Sequence, residues 1–185
     1  MGVPVYIGVG VAATVAVWVG ATFNRFIGFR NRLREAWSGI DVQLKRRHDL
    51  VPSLVECVRG YRDHERTLLE NVTQARSRAV SAQGVAQAGE AETGLARQLR
   101  SLFAVAEAYP DLKADQNFRQ LSANLVEIED QLQYARRYYN GVARDFNILA
   151  ESFPSRLVAA LFGFKPAGFF EIESVTERQT PEVRM

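Results

Sequence analysis

The chain is short of several things that common classes of protein need. One cysteine, Cys57, among 185 residues leaves no internal disulfide to form, which fits a reducing compartment and excludes a disulfide-stapled scaffold. There is almost no net charge either. With 23 basic and 21 acidic side chains the balance is +2, so nothing draws the chain as a whole to nucleic acid. Glycines at 84, 89 and 94 follow neither nucleotide-binding spacing, so no phosphate loop is present. Histidines number only two. His64 lies between Asp63 and Glu65, but the second histidine that a helical zinc pair needs four residues on is replaced by Leu68. His48, beside Lys45, Arg46 and Arg47, reads as a surface residue.

Other candidate chemistry thins out in the same way. Glu127, Glu129 and Asp130 flank an apolar stripe and read as its solvated rim rather than an acid/base pair. Cys57 beside Val58 reads as a small buried hydrophobe, since no histidine stands at an interpretable distance. No catalytic residue, metal ligand or cofactor is therefore expected. With 47% apolar and 24% charged residues, the composition excludes both a disordered chain and a polytopic membrane protein.

Charge is missing altogether from Val3 to Phe23, a run of 21 residues. As a helix it rises roughly 32 Å, enough to span a bilayer. Nothing basic precedes it and no Ala-x-Ala exit follows, so an uncleaved anchor is expected rather than a signal peptide. Arg25, Arg30, Arg32 and Arg34, opposed only by Glu35, follow the run; basic flanks stay in the cytoplasm, which predicts an outside N-terminus and a cytosolic body. Tyr6 and Trp18 lie towards the two ends, where amphipathic rings favour the interface. Gly8, Ala12, Ala16 and Gly20 recur every four residues, a line along which another membrane helix can approach closely.

Beyond the anchor the dominant signal is a seven-residue rhythm. Phe118, Leu121, Leu125, Ile128, Leu132, Ala135, Tyr139, Val142, Phe146 and Leu149 alternate steps of three and four, which keeps them on one helical stripe. Asp115 is the expected N-cap and Pro154 the stop, giving a helix of about 37 residues. Leu33, Trp37, Ile40, Leu44, Arg47, Val51, Leu54, Val58, Tyr61, Glu65, Leu68, Val72, Ala75 and Ala79 carry the same rhythm. Its phase survives Pro52, which favours a kinked, nearly continuous helix over two separate ones. Arg47 stands on this otherwise apolar stripe and is expected to form an interhelical ion pair. No turn signal separates Phe23 from Leu33, so the helix is expected to leave the membrane without a linker.

The glycines from 84 to 94 read as a loop or a weak helix start, after which Leu95, Leu99, Leu102, Ala106 and Tyr109 form a third stripe closed by Pro110. A short fourth helix is expected near Ser155 to Leu161. Phe162, Phe164, Phe169 and Phe170 then crowd among Gly163, Pro166 and Gly168, reading as a strap docked on the bundle or an exposed partner site. The predicted fold is all-α: a single transmembrane helix (3–23), an antiparallel up-and-down bundle (24–170) and a flexible tail (171–185).

The wording of three segments is familiar. AWSGIDVQLKRRHDLVPSLVECVRGYRDHE (Ala36 to Glu65), LFAVAEAYPDLKADQNFRQL (Leu102 to Leu121) and IEDQLQYARRYYNGVARDFN (Ile128 to Asn147) resemble the LemA family, as do the FP at Phe153 and FGF from Phe162. The closing PEVRM is similar to the family's PxVxF, with Met185 in place of the usual aromatic residue. The resemblance implies a bacterial inner-membrane protein with one N-terminal anchor and a helical bundle, and it supplies no reaction. The expected role is a non-enzymatic scaffold or adaptor that meets lipid through its anchor and forms homo-oligomers or holds a protein partner. A membrane-shaping module is the alternative, and an enzyme whose site forms only in an oligomer is a remote one.

Overall fold

A computed structural model describes residues 2–60 and 66–171. Six helices follow one another, and no strand occurs among the described residues: α1 (Val3–Arg59), α2 (Arg66–Ser81), α3 (Gly84–Glu107), α4 (Pro110–Ala114), α5 (Gln116–Glu151) and α6 (Ser155–Phe162). Of these, α1 is long and apolar enough to cross a membrane. It runs from the apolar segment into the bundle with no linker, as the lack of a turn signal predicts.

Pro52 does not end α1. A proline removes the N–H that would have bonded the carbonyl four residues back, here that of His48. That carbonyl is satisfied from another helix: Arg76 Nε on α2 donates to it at 2.6 Å. The expectation of one nearly continuous helix to Ala79 fails further on, because α1 stops at Arg59 and α2 starts at Arg66. Gly60 terminates the helix with its N–H on the Glu56 carbonyl. Glycine stabilises a helix less than any other residue except proline, which suits Gly60 to the position directly after the helix end. Tyr61 and Glu65 lie outside the described residues.

α3 begins at Gly84, whose φ of +76° is a left-handed conformation that suits glycine, so the weak helix start is the reading that holds. Asp115 caps α5 as expected, its Oδ1 accepting from Phe118 N at 2.9 Å. α6 ends at Gly163, φ +72°, and the N–H of Phe164 returns to the Ala159 carbonyl at 2.9 Å.

The residues cluster into two units. The first, Met1–Ser38 with Tyr138–Gly168, has a core of Phe26, Phe146, Leu149, Ala150, Val158 and Ala159. α1 and α5 run antiparallel in it, since Phe26 meets Phe146 while Trp37 meets Tyr139. Phe164 stacks on Phe26 with ring centroids 4.5 Å apart. The strap is held by Asn147, whose amide gives to and takes from the Ala167 backbone at 2.9 and 2.7 Å, and by Tyr139 Oη donating to the Gly168 carbonyl.

The second unit comprises Gly39–Arg137 and Phe169–Met185, of which 61–65 and 172–185 are not described. Its core joins Val51, Leu54, Val58, Val72, Leu95, Leu99, Leu102, Leu112, Phe118 and Leu125. α2 and α3 pack on each other as a helical hairpin. Phe170 is fully buried, and the carbonyl oxygen of Glu171 would lie 2.5 Å from a Cβ at Gly89, so only glycine admits the strap there. Of the four expected strap phenylalanines, Phe164 and Phe170 turn inward while Phe162 and Phe169 stay about half exposed.

Candidate functional site

Among the described residues, the buried ionisable side chains of the second unit converge on one cluster. Arg47 on α1 reaches Glu92 on α3, Nη1 to Oε2 at 3.1 Å, and Glu129 on α5, Nη2 to Oε1 at 3.0 Å. His48 Nε2 lies 2.5 Å from the other oxygen of Glu92. Arg47 and Glu92 are about 1% and 0% exposed, which makes the pair a fully desolvated one. A charge taken from water at such depth costs several kcal/mol unless its partners are well placed. Here both carboxylate oxygens of Glu92 and both terminal nitrogens of Arg47 are engaged. Arg47 Nε finds no hydrogen-bond partner among the described residues.

The chemistry of this cluster is structural. With no lone pair of Glu92 facing solvent and the guanidinium locked between two carboxylates, it offers neither a free base nor an open electrophile. What it does is join three helices at one level, with Arg76 tying α2 to the adjacent His48 carbonyl. A buried ion pair that tolerates only one alignment of its helices selects register more than it adds stability. Beside it a cleft of about 580 Å³ opens between α3 and α5, walled by Leu99, Phe103, Leu125 and Val126.

Arg47 thus makes the interhelical pair expected of it. His48 does not behave as a surface residue: it is 9% exposed, because the carboxylate of Glu92 gives the ring a polar partner inside the bundle. Glu129 is half-buried and paired rather than simply solvated, while Glu127 and Asp130 are exposed. Glu92 escaped the sequence reading. The signal was available, because Ala88, Glu92, Leu95, Leu99, Leu102 and Ala106 continue the third stripe backwards in steps of three and four. A glutamate on one stripe answers an arginine on another.

The other expected site residues are placed as follows. Gly8, Ala12, Ala16 and Gly20 are exposed, and a Cβ at Gly8 or Gly20 would meet nothing within 4 Å. Arg25, Arg30, Arg32 and Arg34 are exposed, with the Arg30 guanidinium 5.9 Å from the Phe164 ring centre and that of Arg32 5.5 Å from Phe29. Trp37 and Leu121 are half-buried; Leu44, Leu54, Leu102, Leu125, Ile128, Leu132, Tyr139 and Phe146 are buried. Tyr61 lies outside the described residues, as do His64 and its acidic neighbours.

Burial raises the Cys57 thiol pKa, helped by the negative charge of Asp115, which disfavours the thiolate. Burial likewise raises Tyr139. Among the described residues no three His, Cys, Asp or Glu side chains gather to hold a metal ion.

Comparison with known proteins bears directly on this arrangement. The LemA family profile matches residues 36–185, which includes every member of the buried cluster. The chain belongs to the LemA family. Protein LemA of Metamycoplasma hominis is 30% identical over 175 residues, covering 91% of this chain and 78% of that one. Magnetosome proteins MamQ 1 and MamQ 2 of Paramagnetospirillum magneticum are each 25% identical over 175 residues, 80% of this chain. The chain spans 64% of the length of those two relatives, just under two thirds. This LemA-family chain therefore combines an all-α bundle with one helix able to cross a membrane.

Proposed function

We propose that this LemA-family protein is a membrane-anchored, non-enzymatic helical scaffold that self-associates or holds protein partners at the bacterial inner membrane. The observation that carries the reading is the contrast along α1. Its residues from Pro4 to Trp18 are exposed on every side, an arrangement that only lipid or another membrane helix suits, whereas the same helix further on supplies Arg47 to a cluster with no free reactive group. In this reading residues 3–23 span the bilayer, 24–170 form the body and 171–185 remain a tail. The N-terminus faces outward, since Arg25, Arg30, Arg32 and Arg34 follow the span. The line of Gly8, Ala12, Ala16 and Gly20 is the favoured face for self-association.

Light scattering of the protein in lipid nanodiscs tests self-assembly. A strict monomer at every protein-to-lipid ratio removes that half of the proposal, and crosslinking from the exposed face of α5 in cells then decides whether partners are held instead. Membrane shaping is the second reading, favoured by the unbroken passage of α1 out of the apolar run. Vesicles whose diameter ignores protein density would exclude it.

A further inference from the structure

α6 and the turn before it carry apolar surface that the fold leaves uncovered. The helix reads SRLVAALF, with its only polar side chains, Ser155 and Arg156, in the first turn. Its inward side, Val158 and Ala159, packs on Phe26, Phe146 and Leu149. A short helix packed on a core ordinarily shows polar residues outward. This one shows Leu157 and Leu161, 58% and 74% exposed, next to Phe153 at 79%. Isolated exposed leucines need no explanation, but a group of this kind on both sides of one turn does.

The position of the group within the first unit supplies the explanation. The Phe162 ring lies 4.8 Å from that of Phe23, and Val19 packs on the same core that receives Val158 and Ala159. Trp18, Thr22 and Arg25 share a cleft with Phe153 and Pro154. α6 therefore stands level with the last apolar turns of α1, just before Arg25, the first charged residue on that helix. A bilayer that ends at this level on α1 ends at the same level on α6. The charges nearby fit a lipid surface: Arg25, Arg156 and Lys165 are exposed, against exposed Asp145 and Glu151.

We propose that α6, with Phe153, is a second membrane contact that lies in the lipid–water interface, sinking Leu157, Leu161 and Phe153 about 5–10 Å into the headgroup boundary. The proposal rests on the reading of α1 as a membrane anchor. Its occupant is a lipid surface, chosen because the exposed patch is continuous with the apolar run through Phe162 and Phe23.

The test uses the full chain with Cys57→Ala and single cysteines at exposed positions, Leu161→Cys, Val11→Cys and Val80→Cys, each carrying an environment-sensitive dye. The proteins are reconstituted in phosphatidylethanolamine–phosphatidylglycerol vesicles containing lipids with a spin-label quencher either near the headgroup or deep in the acyl chain. Position 161 is expected to be quenched several-fold more by the shallow quencher than by the deep one, position 11 more by the deep one, and position 80 by neither. A dye at 161 that neither quencher touches while position 11 responds overturns the proposal and leaves the anchor standing. If positions 11 and 161 are both silent, the anchor reading falls with it. Blue-shifted emission at 161 without lipid quenching shows a protein surface covering α6, a second copy or a partner, and likewise overturns the proposal.

Discussion

In the first unit the helices meet through rings: Phe26 sits between Phe146 and Phe164, and Trp37 lies edge-on to Tyr139. No charged side chain of that unit is buried among the described residues. In the second unit, aliphatic side chains make up most of the core beside one ring pair, Phe103 with Phe118, and a fully buried arginine and glutamate join its helices. The surfaces differ in sign as well. The first unit bears Arg25, Arg30, Arg32, Arg34, Arg144, Arg156 and Lys165 against Glu35, Asp145 and Glu151, so its net charge is +4. The whole chain carries +2, which leaves −2 for the second. Aromatic packing tolerates small slides between helices, whereas a buried arginine bridging two carboxylates on different helices does not. The first unit is thus positively charged and joined by packing that tolerates small slides, whereas the second is negatively charged and held in register by its ion cluster.

Breaking the ion cluster gives the largest expected effect. Glu92→Ala takes the buried carboxylate from both Arg47 and His48, leaving Arg47 only the half-buried Glu129, and is expected to cost about 3–5 kcal/mol, seen as a large drop in the urea midpoint in detergent. Removing the charges together, as Arg47→Met with Glu92→Leu, recovers most of that loss. If the double variant is no better than Glu92→Ala, the cluster is not an ion pair in the energetic sense. Phe26→Ala should cost about 3–5 kcal/mol through the cavity it leaves, with no comparable rescue by any neutral partner change.

A smaller effect distinguishes the units by their strap. Gly89→Ala forces the Glu171 backbone away from α3 and is expected to cost about 1–3 kcal/mol while exposing the buried Phe170 to protease. Unchanged cleavage would show that the strap yields freely. At Pro52 the relevant measurement is a double-mutant cycle. Arg76→Ala should cost about 1–3 kcal/mol in the native background, because the His48 carbonyl loses its donor, and distinctly less when Pro52→Ala restores a helical N–H.

The smallest expected effect is in alkali, where among the described residues burial raises the pKa of Tyr139 in the first unit and of Cys57 in the second. Below the ordinary thiol value of about 8.5 the Cys57 contribution is complete. As the pH climbs past it the unfolded chain surrenders its proton first, so stability declines until the folded thiol ionises too. Cys57→Ala should flatten that part of the pH profile, and an unaltered slope would mean that the thiol is not the group responsible.

Periodicity made most of the architecture legible. The stripe from Phe118 to Leu149 is buried or half-buried at every position, and Asp115 caps the helix that carries it. The end of α1 at Arg59 was not legible, because the apolar phase runs on past it to Leu68 and Val72. Half of the buried cluster could be read, since Arg47 broke an apolar stripe. Its partner was hidden by context: glycines on either side of Glu92 suggest a loop, and tertiary packing overrode that local preference. His48 is the plainer lesson, since a histidine beside three cations carries no sign of burial until the carboxylate opposite it is known.

One consequence of the first unit's make-up concerns anyone who wishes to work without detergent. Val19, Thr22 and Phe23 belong to the uncharged run, yet Thr22 is 5% exposed and the other two lean on the core around Phe26. A fragment trimmed to begin at Asn24 would look soluble on paper while having lost the wall against which Phe162 and Phe164 rest. The cut that spares the protein is one made ahead of Trp18.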